Sequence, residues 1–274
     1  MIRKANREER CHRSLTLRAR CLVLAALVSL VLSASESNAT DCPTSADEIS
    51  TDRPDFTSPP LAVPTGSIQF ENGVTWSNEQ RSNVVEGPQT LVRVGVARCT
   101  EIFFSVPDYV YAIGGNAPAG FSDFVASAKL QLPKFFGFDA AAIGGISFPT
   151  GGSQISSHGY DPDLQLPWRH VIGEHWAVDG MFGITWLTTE PHDNPTFIST
   201  AELERDLGTS GTIFVEYAAN YPRHARTTDI LDGAALWRVT PRQQLDIHAG
   251  FGINRPTPNH YLGIGYSFRL DGLF

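Results

Sequence analysis

From Ser67 to Leu270 apolar residues fall on every second position in run after run, and turn residues separate the runs. The last run, "YLGIGYSFRL", puts Leu262, Ile264, Tyr266, Phe268 and Leu270 on one face of a strand and Gly263, Gly265, Ser267 and Arg269 on the other. Eleven runs precede it. The first carries Ile68, Phe70, Val74 and Trp76, the second Val92, Val94 and Val96, and the third Ile102, Phe104 and Val106. The others span Phe124 to Leu132, Phe138 to Phe148, Leu164 to Trp168, Trp176 to Trp186, Phe197 to Leu203, Ile213 to Tyr221, Leu231 to Val239 and Leu245 to Ile253. Past residue 66 no long pattern of period 3.6 interrupts them, so the chain reads as all-β, an antiparallel meander of about 12 strands.

Alternation alone does not tell oil inside from oil outside. Three features decide it. The apolar phase is free of charge except for Asp108, after Pro107, while the other phase collects the charged residues. Trp76, Trp168, Trp176, Trp186 and Trp237 stand at the ends of apolar faces. Trp176 and Trp186 are ten residues apart on one strand, which at ~3.3 Å per residue and a tilt of ~40–45° spans about 25 Å of bilayer, the separation of two aromatic girdles. Connections also alternate in length: long "NEQRSNVVE", short "RCT", long "AIGGNAPAG", short "PKFF", long "TGGSQISSHGY", then a weaker version of the rhythm. Long loops on one rim and tight turns on the other predict a transmembrane antiparallel up-and-down β-barrel in a Gram-negative outer membrane, with lipid against the apolar face and the last strand paired to the first. Phe274, placed in phase with Leu270, is expected to give the barrel-assembly machinery its C-terminal aromatic.

The front of the chain agrees. Seven basic residues precede an apolar run from Cys21 to Leu32 and the small-residue stretch "SASESNAT". That run is shorter than the ~20 residues a spanning helix needs, so residues 1–39 read as a signal peptide cut after Ala39. Removing it moves the formal charge from −8 to about −12, with 14 basic residues against 26 acidic. So acidic an exported chain is not expected to bind nucleic acid. Residues 40–66, rich in Pro, Ser, Thr and Asp, are expected to be irregular, and two readings of them stand: a hatch folded into the lumen, or a periplasmic tail leading to a barrel of residues 67–274. Cys42 and Cys99 are the two cysteines left after export. On this strand count both face the oxidising periplasm, which predicts a disulfide between them.

The charges on the inner phase are the candidate lumen lining: Glu71, Arg93, Asp123, Lys129, Asp139, Asp163, Arg169, Asp179, Glu216, Asp232, Arg238, Asp246, His248 and Arg269. Acids outnumber bases, which predicts a path that mildly favours cations or neutral solutes. The same bases are also placed to pair with neighbouring acids across strands and fill the interior. Other chemistry is thin. "GGISFPTGGS" has the wrong glycine spacing and no lysine for a phosphate loop. Asp246 and His248 face one side two residues apart, but no G-x-S-x-G offers a nucleophile, and no Cys/His spacing suggests zinc. No enzyme, cofactor or metal is expected. Charges at Val94, Ile184 or Ile264 should disrupt folding into lipid, and the same change at Gly95 or Thr185 should be tolerated better.

"TDRPDF", "PTGSIQFENG", "GFSDFVASAKLQL", "FPTGG" and the closing "GFGIN…YLGIGYSFRL" resemble the family called putative MetA-pathway of phenol degradation, over nearly the whole mature chain. Members commonly end at or just after a Ser-Phe-Arg-Phe run; here Leu270 replaces the second Phe and "DGLF" follows. The resemblance implies a transporter-like outer-membrane barrel for aromatic or other small hydrophobic compounds. A sealed barrel with a structural, adhesive or lipid-hydrolase role is the alternative.

Overall fold

The computed structural model describes residues 42, 44–79, 82–114, 118–189, 194–254 and 257–274; the expected signal peptide lies outside them. Fifteen strand segments follow in order: β1 (Ile68–Glu79), β2 (Ser82–Gly87), β3 (Leu91–Ala97), β4 (Thr100–Ser105), β5 (Tyr109–Ile113), β6 (Gly120–Phe121), β7 (Phe124–Phe135), β8 (Phe138–Phe148), β9 (Asp161–Ile172), β10 (Trp176–Leu187), β11 (Asn194–Leu207), β12 (Gly211–Pro222), β13 (Thr228–Thr240), β14 (Gln243–Gly252) and β15 (His260–Leu270). All neighbours pair antiparallel, and β15 returns to β1 from Ile68↔Leu270 to Asn78↔His260, closing the sheet so that no edge is left there. β2 with β3, β4 with β5 and β6 with β7 are the halves of single staves, which makes a barrel of twelve.

The barrel is inside-out. Ile264 is 59% exposed and Phe182 61%, whereas Gln69, Glu71, Arg93, Glu101 and Lys129 are fully buried within the lumen. Within the apolar runs read from the sequence, the outward phase is therefore the expected one. Trp76, Trp176 and Trp237 are exposed at or near strand ends, and Arg205 lies over the Trp176 ring at 4.9 Å. All five tryptophans fall on the outward phase of their strands.

Three staves differ from the sequence reading. The "NEQRSNVVE" connection is not a loop throughout, because Ser82–Gly87 is strand and pairs with β1 and β5. Inward positions then change parity along the stave: Ser82 and Val84 are buried in β2, but Arg93 in β3. The next stave does the same, with Glu101 inward on β4 and Tyr109, Tyr111 and Ile113 outward on β5. The irregular residues 88–90, 106–108 and 122–123 absorb the shift, around the cis Gly87–Pro88 bond, Pro107 and Asp123. Asp108 therefore shares the inward parity of Val110, which removes the one charged exception to the apolar phase.

Two further expectations change. β15 stops at Leu270, and Gly272, at φ +67°, turns the chain so that the Leu273 amide donates to Gly66 O at 2.8 Å; Phe274 is thus not the next outward residue of that strand. Gly95 is no tolerant lumen position either. A Cβ there would stand 2.1 Å from the Pro64 carbonyl oxygen, because residues 44–66 lie inside the barrel.

Candidate solute path through the barrel

Residues 44–66 form no regular secondary structure, so their backbone groups need partners from elsewhere. The lumen wall supplies them. The Arg269 guanidinium donates to the carbonyls of Ala46 (2.8 Å), Asp47 (3.0 Å) and Glu48 (3.1 Å), and Gln131 donates to Thr44 O (3.0 Å). Arg93 reaches Ser50 O at 2.8 Å and Leu61 O at 3.2 Å. Glu71 accepts from the amides of Asp52 and Arg53, Glu101 from Val63, and Glu216 from Phe56. The segment is docked in the lumen as a plug. Cys42 and Cys99 form a disulfide that ties its start to the turn between β3 and β4.

On one wall against the plug every buried charge meets an opposite one. Arg93 meets Asp52 (3.1 Å), Glu71 (3.1 Å) and Glu101 (2.9 Å), and Lys129 meets Glu101 (3.1 Å) and Asp52 (3.7 Å). Register brings the wall partners together, with Glu101 opposite Lys129 across β4 and β7. Asp52 feels burial, which disfavours its charge, but Arg93 and Lys129 outweigh that and hold its carboxyl below the ordinary value.

The other wall is not paired in this way. Across β10, β11, β12 and β13 the register sets Asp179 opposite Glu202, Glu202 opposite Glu216, and Glu216 opposite Asp232. Four carboxylates thus stand side by side, an arrangement that cross-strand repulsion disfavours. Arg169 compensates one end, bonding Asp179 at 3.0 Å and Glu204 at 3.1 Å. From the plug, Asp55 looks onto this belt. Its carboxyl is pushed well above the usual range, first by burial and then by Glu202, Glu216, Glu204 and Asp232.

Above the plug opens a chamber of about 520 Å³. Its floor is Asp52–Phe56, and its sides include Thr75, Val84, Gln89, Val110, Ile230, His248 and Tyr261. Arg53 crosses this floor to Gln89 Oε1 (2.9 Å), Asp246 Oδ1 (3.3 Å) and Ile264 O (3.4 Å). Gly73 and Gly265 make room for it, since a Cβ on Gly73 would sit 2.1 Å from Arg53 Cζ. His248 lies 3.4 Å from the Thr75 hydroxyl and 3.6 Å from Asp246. No serine hydroxyl bonds to it among the described residues, and Asp246 is engaged by Arg53.

The remaining sequence candidates fall in three places. Asp139 pairs with Lys134 (3.4 Å) and Arg238 with Glu48 (3.1 Å) near the turns, and Asp163 accepts from Gln165. Asp123 is engaged by the loop between β8 and β9, accepting from the amides of Gly151 (2.8 Å) and Ser157 (3.0 Å) and from Ser156 Oγ (3.1 Å). Burial works against its charge, but these donors hold the carboxyl below its ordinary value. The sequence reading missed Gln69, Glu101, Glu202 and Glu204, all on inward positions that the strand phase already marked, and the plug's Asp52, Arg53 and Asp55, which no periodicity marks.

Together these features define an outer-membrane β-barrel of twelve strands whose lumen holds its own N-terminal plug. The chain belongs to the family described as Putative MetA-pathway of phenol degradation, whose model matches residues 51–270. Among solved structures it is similar to an outer-membrane channel from Pseudomonas putida F1, with a TM-score of 0.61 and 15% identity over 81% of this chain and 100% of that one. It is also similar to the NanC porin, with a TM-score of 0.54 and 10% identity over 74% of this chain and 100% of that one. For the KdgM porin the values are 0.50 and 9%, over 74% and 98%. These likenesses concern the fold. No curated protein matches the sequence.

Proposed function

We propose that the protein is a passive outer-membrane channel for small aromatic or similarly compact, partly apolar solutes, entered from the external chamber and gated by the plug. The observation that carries this reading is the chamber's mixed lining. Phe56, Val84, Val110 and Ile230 offer apolar surface beside the polar groups of Arg53, Gln89, His248 and Tyr261. A mostly apolar pocket with a few polar groups is the ordinary form of a small-molecule site. The excess of inward carboxylates favours cations and neutral solutes over anions. In this reading the tryptophans anchor the barrel at the two membrane interfaces. The barrel-assembly machinery inserts it by reading the outward face of β15, up to Leu270, together with the aromatic Phe274.

Single-channel recording in a planar bilayer tests the proposal. Discrete small openings should appear with the oxidised protein, become larger or more frequent once Cys42–Cys99 is reduced, and be blocked by phenol added to the external side. Silence in both redox states, from protein shown to be folded by its heat-modifiable gel mobility, would overturn it.

A further inference from the structure

Between the plug and the unbalanced wall lies a second cavity, of about 400 Å³, bordered by Asp55, Asp179, Glu202, Glu204 and Asp206. Two guanidiniums border it and both are engaged, Arg169 with Asp179 and Glu204, Arg238 with Glu48. Oxygens of Asp179, Glu202 and Glu204 come within 4.8 Å of one another. Glu202 is 3% exposed, and its Oε2 has no hydrogen-bond donor among the described residues. Asp55 Oδ1, on the plug side of the same cavity, is likewise without a donor. A buried carboxylate oxygen with no donor is costly, and here two converge on one space from two separate parts of the fold.

We propose that this cavity binds a divalent cation, Ca²⁺ by its ligand chemistry, between Asp55 of the plug and Glu202, Asp179 and Glu204 of the wall, and that the ion pins the plug in place. The donors are all hard oxygens, which selects Ca²⁺ or Mg²⁺ over transition metals. They come from three separate segments, and two of them, Asp179 and Glu204, are already shared with Arg169. Such an irregular set suits Ca²⁺, which accepts 6–8 oxygens in flexible geometry, better than Mg²⁺, which demands an octahedron. The ion would supply the positive charge that the belt lacks, as Arg93 and Lys129 do on the opposite wall.

The test uses the full mature protein folded in detergent, stripped with a chelator and titrated with CaCl₂ in a calorimeter. One saturable site is expected. Glu202→Gln and Asp55→Asn should each weaken it by about tenfold or more, while Asp123→Asn should leave it unchanged. Because Glu202→Gln removes a repelling charge, its fold should persist, and heat-modifiable mobility checks this. In the same samples protease cleavage within residues 44–66 should accelerate on chelation in the wild type and be insensitive to chelation in Glu202→Gln. Absence of saturable Ca²⁺ binding, equal binding by both variants, or Ca²⁺ binding that leaves plug cleavage unchanged would each overturn the proposal. MgCl₂ binding more tightly than CaCl₂ would overturn the choice of ion.

Discussion

The two walls of the lumen are built from the same residue types on the same inward positions, yet they answer the plug differently. On β1, β3, β4 and β7 every buried charge meets its opposite: Arg93 and Lys129 lie among Asp52, Glu71 and Glu101. On β10 to β13 the carboxylates of Asp179, Glu202, Glu216 and Asp232 meet each other, with Arg169 at one end. The first wall is a seal, since removing one member strands the rest in a dry interior. The second holds like charges at a cost to stability, and a cost retained at one place in a fold points to function rather than to packing.

The largest expected effect separates these walls directly. Arg93→Met should lower stability to urea in lipid by about 3–5 kcal/mol, because it leaves Glu71 buried without its cation and Glu101 with Lys129 alone. Glu202→Gln should be neutral or stabilising in chelator. If both variants cost the same, the walls do not differ in kind.

The disulfide sharpens the comparison next, because it fastens the plug on the paired side, at the β3–β4 turn. Its residues are 57 apart in sequence. Cross-linking a loop of that length stabilises by roughly 4 kcal/mol in the chain-entropy model. Reduction should therefore loosen the start of the plug, read as faster amide exchange at residues 44–50, while contacts of Phe56 and Thr57 with Glu216 on the other wall persist.

A third contrast is between inner and outer faces. Ile264→Arg should cost about 2–4 kcal/mol near the bilayer midplane. Thr185→Arg, on the inward phase of β10, should cost less, and equal losses in a lipid-folding titration would contradict the inside-out assignment.

The smallest effect lies outside both walls, at Asp123. The Asp123 carboxyl is held below its ordinary value of about 3.8 by its donors in the loop at 151–157. A depressed folded value means that its stabilisation is present above that ordinary value and is lost as pH falls through the lower, folded one. Amides of Gly151 and Ser157 should thus exchange slowly at neutral pH and faster in strong acid. In Asp123→Ala they should exchange fast throughout.

How far the path was legible follows from how local each cue is. The inward position of Glu71 or Asp179 is a matter of parity along one strand, so it can be read from a few neighbours. Whether Asp179 faces Arg169 or Glu202 depends on register across strands, and here it faces both. Asp123 has the parity of a lumen residue, but its partners in the loop at 151–157 lie far from it in sequence and no period marks them. Arg53 and Asp55 stand in a proline-rich stretch with no period, and only docking inside the barrel gave them partners.

By itself the sequence determined the twelve strands, their alternation and which face meets lipid, because side-chain direction in a strand repeats every two residues and is set by the nearest bonds. It also carried the outward phase of the five tryptophans and the two cysteines, which composition and spacing expose. Tertiary structure alone decided that residues 44–66 fill the lumen, that three staves shift phase midway, and that the charges of one wall are paired while the other is left acidic. Each of these depends on which groups stand across a gap from one another, and a segment without secondary structure takes its conformation from the wall that satisfies its backbone.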